Sequence, residues 1–243
     1  MNLKVQRTVS SVMLVSDVPK AFLLCCLFGG FLLCSGYSTA QSHPMDCTKS
    51  PKNHVHLLEG GQITAKHLEV IRTVEGEVPV DLQVCDADLT IREGKDNRLR
   101  IAVDFENGAP NPAGEYLQTL EVTREAVHVE LYLPKQPRAK VTVIVPATIA
   151  NLQLNLVRGN LSFQTDRITG QRTKKIVSGH VDQLSNPDTY GTLRASVLIG
   201  SFHDHRKGGG EGHGMVSKSL SGTGKGSVEV NVVRGSLDVR AWD

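Results

Sequence analysis

Apolar and polar residues alternate along much of the chain. In the segment RLRIAVDF, residues 98–105, every second residue is apolar. Side chains on a β-strand point to opposite faces in turn, so this period of two predicts strands with one buried and one hydrated face. Residues 64–72 are ambiguous between strand and helix, but the chain as a whole is predicted to be all-β. The same alternation recurs at 126–133, 141–145, 152–156, 193–199 and 228–232.

A short phrase is repeated within this pattern. Residues 157–163 read VRGNLSF and residues 233–239 read VRGSLDV. When it is relaxed to apolar, any, glycine, any, apolar, the phrase occurs four times, and its glycines are 20, 21 and 35 residues apart. A nearly fixed period is typical of a solenoid, in which each repeat is one coil. The four glycines are Gly159, Gly179, Gly200 and Gly235.

The repeats predict a single-stranded, right-handed β-solenoid with coils of about 20 residues, each stacked on the coil before it. Each glycine would turn a corner with a positive φ angle, and the apolar residues on both sides of it would point into the core. An antiparallel β-sandwich is the alternative, because so loose a motif also occurs by chance in valine-rich β proteins.

A glycine-rich segment interrupts the repeats. Residues 203–226 contain eight glycines in 24 residues and are predicted to form a flexible loop without secondary structure. Looping out about 14 of these residues would restore the period before the last coil. A single domain is the expectation for this chain length, with an N-terminal arm at 41–59 and the solenoid at 60–243.

The first 40 residues have the character of a signal peptide. Basic residues precede a short apolar run, AFLLCCLFGGFLLC at 21–34, which is too short to span a bilayer. Small residues follow it, and cleavage after Ala40 would leave Gln41 at the mature N-terminus. A lipoprotein signal that uses Cys34 and an uncleaved anchor are the alternatives. The chain is expected to be exported to the periplasm or the cell surface.

Charge and hydropathy exclude two classes of partner for the mature chain. The predicted signal carries three of the 27 basic and one of the 25 acidic residues, which leaves 24 of each. A chain without net charge has no basic footprint for nucleic acid, and no second apolar run is long enough to span a membrane. No cofactor is expected either.

Two cysteines remain after removal of the signal. Cys47 and Cys85 form an even pair in a chain bound for an oxidising compartment, which indicates one disulfide. Two unpaired buried thiols are the alternative. A bridge would join the N-terminal arm to the strand around Val84.

Three segments resemble a known group of proteins, the exported bacterial "putative adhesin" domains. They are residues 81–105, 147–163 and 224–240, which combine strands, VxG corners and a glycine-rich break before the last coil. The resemblance implies a β-solenoid-like fold over roughly 60–243 and brings no catalytic residue set with it. The chain departs from the pattern at 84–89, where the first coil has no glycine.

The glycine-rich segment also carries candidate metal ligands. His203, His205 and His213 lie within eleven residues of one another, together with Asp204 and Glu211. Imidazole and carboxylate ligands suit Zn²⁺, Ni²⁺ or Cu²⁺. A solvated loop is the preferred interpretation, because the sequence identifies neither a rigid scaffold nor residues that would orient the ligands.

Arg158 and Arg234 occupy the same position in two repeats and could contact a partner. A glycan-active solenoid enzyme could use such a basic ladder with carboxylates, but charged outer faces are ordinary in soluble sheets. The sequence therefore favours a non-enzymatic exported protein that serves adhesion or scaffolding and contacts an envelope protein or a glycan. The alternatives are a glycan-active enzyme and a metal-binding or sensing ectodomain.

Overall fold

The chain is all-β, as predicted. Among the described residues of the computed structural model there is no α-helix, and none forms a helix long and apolar enough to cross a membrane. The predicted signal peptide and, apart from Cys47, the predicted N-terminal arm lie outside the described residues. The structure describes residues 47, 61–64, 66–105, 116–136, 138–164 and 168–241.

Thirteen strands are present in the described part of the chain, and hydrogen bonds join them into one mixed sheet. The strands are β1 (Gly61–Ile63), β2 (His67–Thr73), β3 (Val80–Glu93), β4 (Arg98–Phe105), β5 (Leu117–Val122), β6 (Val127–Leu131), β7 (Ala139–Val145), β8 (Asn151–Gln164), β9 (Gln171–Leu184), β10 (Thr192–Asp204), β11 (Glu211–His213), β12 (Val216–Ser221) and β13 (Ser227–Arg240).

Five long strands form a parallel stack at the centre of the sheet. Their spatial order is β3, β8, β9, β13, β10, and neighbours pair in register along almost their whole length. The register aligns the motif glycines in one column, Gly159 beside Gly179, Gly179 beside Gly235 and Gly235 beside Gly200. Ala87 of β3 occupies the first position of this column, beside Gly159.

The expectation that each repeat stacks on the preceding one is wrong for β10, which does not pair with β9. Strand β13 does not follow β10 in space but lies between β9 and β10, parallel to both. The stack therefore contains the predicted repeats in a different order, because the C-terminal strand fills a gap that β9 and β10 leave between them.

The buried positions change parity at the glycine column. In β8, Leu154 and Leu156 are buried before the glycine, and Leu161 and Phe163 after it. The residue in between, Val157, makes no ladder pair. This extra residue shifts the alternation by one, so that both halves of the strand bury their apolar side chains in one common core.

One part of the predicted motif is therefore wrong. The apolar residue two places before each glycine was expected to point inward, but Val177 is 42% exposed and Leu198 is 50% exposed. The inward residues are their predecessors, Ile176 and Val197, which are buried. The cause is the unpaired residue at the parity change, which a strict period of two does not anticipate.

The glycine column is required by close contact between backbones. Gly159, Gly179, Gly200 and Gly235 have φ angles of 138°, 155°, 152° and 139°, a region that side chains disfavour. A Cβ atom on Gly179 would lie 1.7 Å from the carbonyl oxygen of Gly159. A Cβ on any of the four would meet the neighbouring strand on the β3 side, so the column excludes side chains by contact as well as by backbone conformation.

The sheet divides in two at both ends of the stack. The first half of β3 pairs with β6 and its second half with β7, so Ala87 lies between these two ladders. Strand β6 continues to β5, and β7 continues to β4, β2 and β1. At the other end, the first half of β10 pairs with β12 and its second half with β11.

The glycine-rich segment 203–226 is not a structureless loop. It contains β11 and β12, which both pair antiparallel with β10. Its last glycines also bind the turn at 187–191, since the Gly222 amide donates to the Gly191 carbonyl and the Gly224 amide donates to that of Tyr190. Antiparallel pairing with an existing strand thus overrides the disorder expected from glycine content.

The predicted disulfide is present. Cys47 is bonded to Cys85, and their Cα atoms are 5.6 Å apart, within the range of ordinary disulfides. Cys85 is buried and lies in β3, two residues before Ala87. The bridge therefore holds Cys47 beside the start of the glycine column.

Strand β9 places polar side chains in the otherwise apolar core. Lys174 is 0% exposed, donates a 2.6 Å hydrogen bond to Gln183 Oε1, and lies 3.5 Å from the centre of the Phe163 ring. Burial lowers the pKa of Lys174 well below its ordinary value, more strongly than nearby Glu93 raises it. Arg172 forms a buried 2.8 Å ion pair with Glu93.

Candidate functional site

Beyond the glycine column, the outward side chains of the stack form two polar rows. Because the strands are in register, residues one and three places after each glycine line up across the sheet. Strand β11 extends both rows, since Ser201 pairs with His213 and His203 with Glu211. We call this surface the polar face, and it comprises Asn160, His180, Ser236, Ser201 and His213 in one row and Ser162, Asp182, Asp238, His203 and Glu211 in the other.

Asp238 is the centre of the polar face. Its Oδ1 lies 3.0 Å from Nδ1 of His203, and its Oδ2 accepts a 2.9 Å hydrogen bond from Arg240. Burial would raise the pKa of Asp238, but the hydrogen bonds from Arg240 and His203 outweigh it and hold the pKa below its ordinary value. A carboxylate fixed in this way orients the His203 ring.

Three side chains at the end of the polar face converge. One ligand atom from each of His203, Glu211 and His213 lies within 4.8 Å of the other two. The rings of His203 and His213 are edge-on to each other, with centroids 6.0 Å apart. Glu211 and His213 are exposed and His203 is partly buried, so the group opens to solvent at the edge of the sheet.

The structure brings together two of the three predicted histidine ligands. His205 follows the end of β10 and does not belong to the converging group. Its Nε2 lies 3.6 Å from Asp238 Oδ1 instead. The third member is Glu211, whose position opposite His203 depends on the β10–β11 register.

His180 belongs to a separate cluster on the same face. Its Nδ1 lies 2.7 Å from the Ser236 hydroxyl, and its Nε2 lies 3.2 Å from Asp182 Oδ2 and 3.8 Å from Asp238 Oδ2. Arg240 lies 3.5 Å from Asp182 and 2.9 Å from Asp238. Both carboxylates therefore already face a guanidinium, and both nitrogens of the imidazole have a neighbour.

A buried ion pair fixes the chain directly after His203. Arg206 donates to both carboxylate oxygens of Asp204, at 2.8 and 2.9 Å, and to the Tyr190 hydroxyl. Burial would raise the pKa of Asp204, but the hydrogen bonds from Arg206 hold it below its ordinary value. These contacts fix the backbone next to His203, although the glycine content of the segment predicted a flexible loop.

The two predicted partner-contacting arginines lie away from the histidines. Arg158 and Arg234 share a row directly before the glycine column, two strands apart, with Ser178 between them. Arg158 is paired with Asp86 at 3.5 Å, and its side chain is still 49% exposed. The row also contains Asp86 and Ile199, so Arg158 and Arg234 are two separate exposed cations beside the polar face.

A pocket of about 170 Å³ lies on the other half of the stack. It is smaller than the 300–1,000 Å³ typical of ligand pockets. Its lining residues are Gln171, Thr192, Arg194, Ser227, Val228 and Glu229.

No protein-family model matches the chain, and no curated protein sequence matches it significantly. Three solved structures are similar at low level. A "putative cell adhesion protein" from Clostridium sporogenes is 13% identical and covers 73% of this chain and 100% of its own, with a TM-score of 0.41. A "putative adhesin" from Parabacteroides merdae is 8% identical over 72% of this chain and 78% of its own, with a TM-score of 0.27.

The third is a "putative lipid binding protein" from Parabacteroides distasonis, 9% identical over 73% of this chain and 98% of its own, with a TM-score of 0.25. Likenesses at these TM-scores assign neither a fold nor a function to this chain.

Proposed function

We propose that the protein is an exported, non-enzymatic component of a bacterial envelope or cell surface, which presents a β-solenoid for adhesion or scaffolding. The observation that carries the proposal is the outward surface formed by the polar face and by Arg158 and Arg234 in the row beside it. The side chains of this surface repeat at the spacing of neighbouring strands, about 4.8 Å, across the in-register stack. A regular array of hydrogen-bonding groups suits a repetitive partner such as a glycan or a structural protein of the envelope.

Chain length supports the solenoid part of the proposal. A straight strand of 14 residues such as β8 would span about 46 Å, at roughly 3.3 Å per residue. Only residues 165–170 connect β8 to β9, and they reach at most about 24 Å. Because the two strands start in register, each must bend to bring its end near its own start. A bend at the glycine column produces such a coil, and a right-handed crossover is the expected hand.

The disulfide supports export. Bridges persist in oxidising compartments and are rare in the cytosol. Together with the apolar run at 21–34, Cys47–Cys85 favours cleavage after Ala40 and release of a chain that begins at Gln41. Intact-mass analysis of the exported protein should give this N-terminus, and retention of residues 1–40 or a lipid on Cys34 would contradict it.

Binding to envelope fractions of the native host tests the function. We expect the purified protein to co-sediment with envelopes saturably, and the double variant R158A/R234A to bind more weakly. The double variant K175A/R194A is the matched control, since it removes two cations from outward positions on the other half of the stack. Absence of saturable binding, or equal loss in both variants, would contradict the proposed surface. Depolymerisation of uronic-acid glycans by the purified chain would contradict the non-enzymatic part.

A further inference from the structure

We propose that His203, Glu211 and His213 form a binding site for a divalent transition-metal ion of the Zn²⁺ class, and that Asp238 orients His203 within it. The proposal does not depend on adhesion. It rests on the antiparallel ladder between β10 and β11, on the convergence of three ligand atoms, and on a carboxylate behind one of them.

The ladder places all three side chains on one face. His203 lies directly opposite Glu211, and His213 lies opposite Ser201, two residues further along. Positions two residues apart on a strand share a face, so the three side chains emerge together. Their ligand atoms lie within 4.8 Å of one another. Ligands of a tetrahedral Zn²⁺ are about 3.3 Å apart, given bonds of 2.0–2.2 Å. Small rotations of the exposed Glu211 and His213 side chains would close this difference.

Asp238 supplies the support that a metal-binding histidine needs. Nδ1 of His203 is engaged by Asp238 Oδ1, which leaves Nε2 of the same ring for the metal. A carboxylate on the other ring nitrogen fixes the tautomer and raises the basicity of the ligand, and this arrangement recurs in zinc proteins. Arg240 holds the second oxygen of Asp238 and so keeps the carboxylate in place.

The neighbouring group of His180, Asp182 and Asp238 is a poorer candidate, although its ligand atoms are equally close. The guanidinium of Arg240 lies against both carboxylates, and a cation there would be repelled by it. Both nitrogens of His180 also have neighbours within the cluster. Arg240 thus offsets one of the two carboxylate charges directly, and both ring nitrogens of His180 are engaged, so the group formed by His203, Glu211 and His213 is the better candidate.

Two imidazoles and one carboxylate define the chemistry of the site. This ligand set suits Zn²⁺, Cu²⁺ and Ni²⁺ better than Ca²⁺ or Mg²⁺, which prefer oxygen ligands. Three protein ligands leave a fourth position of a tetrahedral ion open to water or to a group on a partner. The edge position of β11 makes that fourth position accessible from solvent.

Calorimetric titration of the chelator-treated full chain with ZnCl₂ tests the site. We expect one ion per chain, and a loss of affinity of roughly tenfold or more in H213Q and in E211Q, as is usual when a ligand or its support is removed. H67Q is the matched control, because it also removes a partly buried imidazole but lies on β2, near the opposite end of the strand order from β11. Absence of stoichiometric binding, or an equal loss in H67Q, would overturn the proposal.

The role of Asp238 is tested with Co²⁺, whose visible absorption reports tetrahedral coordination. D238N should keep the stoichiometry but bind roughly tenfold more weakly, and D238E should recover part of the affinity. Thermal unfolding of each metal-free variant separates this effect from a loss of folding. Unchanged Co²⁺ affinity in D238N would refute the positioning role. If D238N lost Co²⁺ affinity while H213Q kept the affinity of the parent, the ion would be bound elsewhere.

Discussion

The two ends of the parallel stack, β3 and β10, are built differently. At the glycine column β3 has Ala87, whereas β10 has Gly200. The outer edge of β3 is covered by the parallel strands β6 and β7, and that of β10 by the antiparallel strands β11 and β12. Only the β10 end carries the converging histidines.

The difference shows that the stack has a direction. A Cβ on Gly200 would strike Gly235, one on Gly235 would strike Gly179, and the series ends with Gly159 against Ala87. In every case the added atom would point toward β3. Among the described residues, β3 has no ladder partner at residue 87 on its outer side, because β6 pairs up to Val84 and β7 from Asp88 onward. Each strand therefore needs glycine because its neighbour on the β3 side leaves no room for a Cβ atom. Strand β3 is the first of the stack and does not need glycine at this position.

The largest effect is expected from breaking the column in its middle. In G179A the new Cβ would lie 1.7 Å from the Gly159 carbonyl oxygen, at a φ of 155°. Neither backbone can move without opening a ladder, so we expect a loss of at least about 3 kcal/mol, or roughly 6–12 °C in Tm. Thermal unfolding followed by circular dichroism measures it.

The control for this variant is G76A. Gly76 also has a positive φ, 80°, but a Cβ there would meet no atom within 4 Å. The G76A variant should lose only the free energy needed to hold a non-glycine residue at positive φ, about 1–2 kcal/mol. Equal losses in the two variants would mean that backbone conformation, and not contact between strands, explains the column.

Removing the cover of β10 should have the next largest effect. Replacement of residues 207–221 by a short Gly/Ser linker deletes β11 and β12 but keeps Arg206 and the contacts of Gly222. It exposes an edge along β10 and removes the buried side chain of Val216, so we expect a loss of at least about 2 kcal/mol and a tendency to aggregate.

Light scattering and thermal unfolding report these two consequences. Insertion of the same Gly/Ser residues between Lys207 and Gly208, without deletion, is the control and should be nearly neutral, since loop length costs little entropy. A deletion variant as stable and as monomeric as the parent would restore the interpretation of this segment as a dispensable loop.

Local sequence patterns predicted the glycine column and all or part of β4, β6, β7, β8, β10 and β13, but they missed β11, β12 and the arrangement of the strands. Alternation and spacing are local, so β8 and its Gly159 could be identified directly. The place of β13 depends on pairing between distant segments, which no local pattern encodes. The candidate site depends on it too. Had β13 stacked beyond β10, it would occupy the edge at which Glu211 and His213 meet His203.

Strand β9 differs from the neighbouring strands of the stack because it buries the polar side chains of Lys174 and Gln183. In K174M the acceptor Gln183 Oε1 loses its buried donor, which should cost about 1–3 kcal/mol. Gln183 Nε2 also donates to the buried Ser185 hydroxyl, so the triple variant K174M/Q183L/S185A is needed to remove the whole polar group, and it should recover most of this loss or exceed the parent in stability. Chemical denaturation of the three proteins measures the free energy of unfolding. A triple variant less stable than K174M would mean that the polar group contributes net stability.

The same lysine predicts a pH dependence. Since the pKa of Lys174 is lowered in the folded protein, the unfolded chain binds more protons between that pKa and the ordinary value near 10.4. The free energy of unfolding should therefore rise with pH in this window, by up to about 1.4 kcal/mol per pH unit, and fall as pH drops toward the folded pKa. The difference between the parent and K174M isolates this slope, and a difference that does not change with pH would show that Lys174 stays charged.

The smallest effect is expected at Ala87, the position of β3 in the glycine column. A87G makes β3 identical to the other strands at this position, yet no close contact is relieved, because Ala87 lies at the gap between the β6 and β7 ladders. The variant should lose about 0.5–1 kcal/mol through the greater freedom of glycine in the unfolded chain and the loss of a buried methyl group.

The reverse change at the next strand, G159A, brings a Cβ to 1.8 Å from the Ala87 carbonyl oxygen and should resemble G179A. The difference in Tm between A87G and G159A therefore tests whether glycine is required only in the strands that follow β3. A stabilising A87G would mean that β3 is also strained at the column, and that the stack requires glycine in every strand including the first.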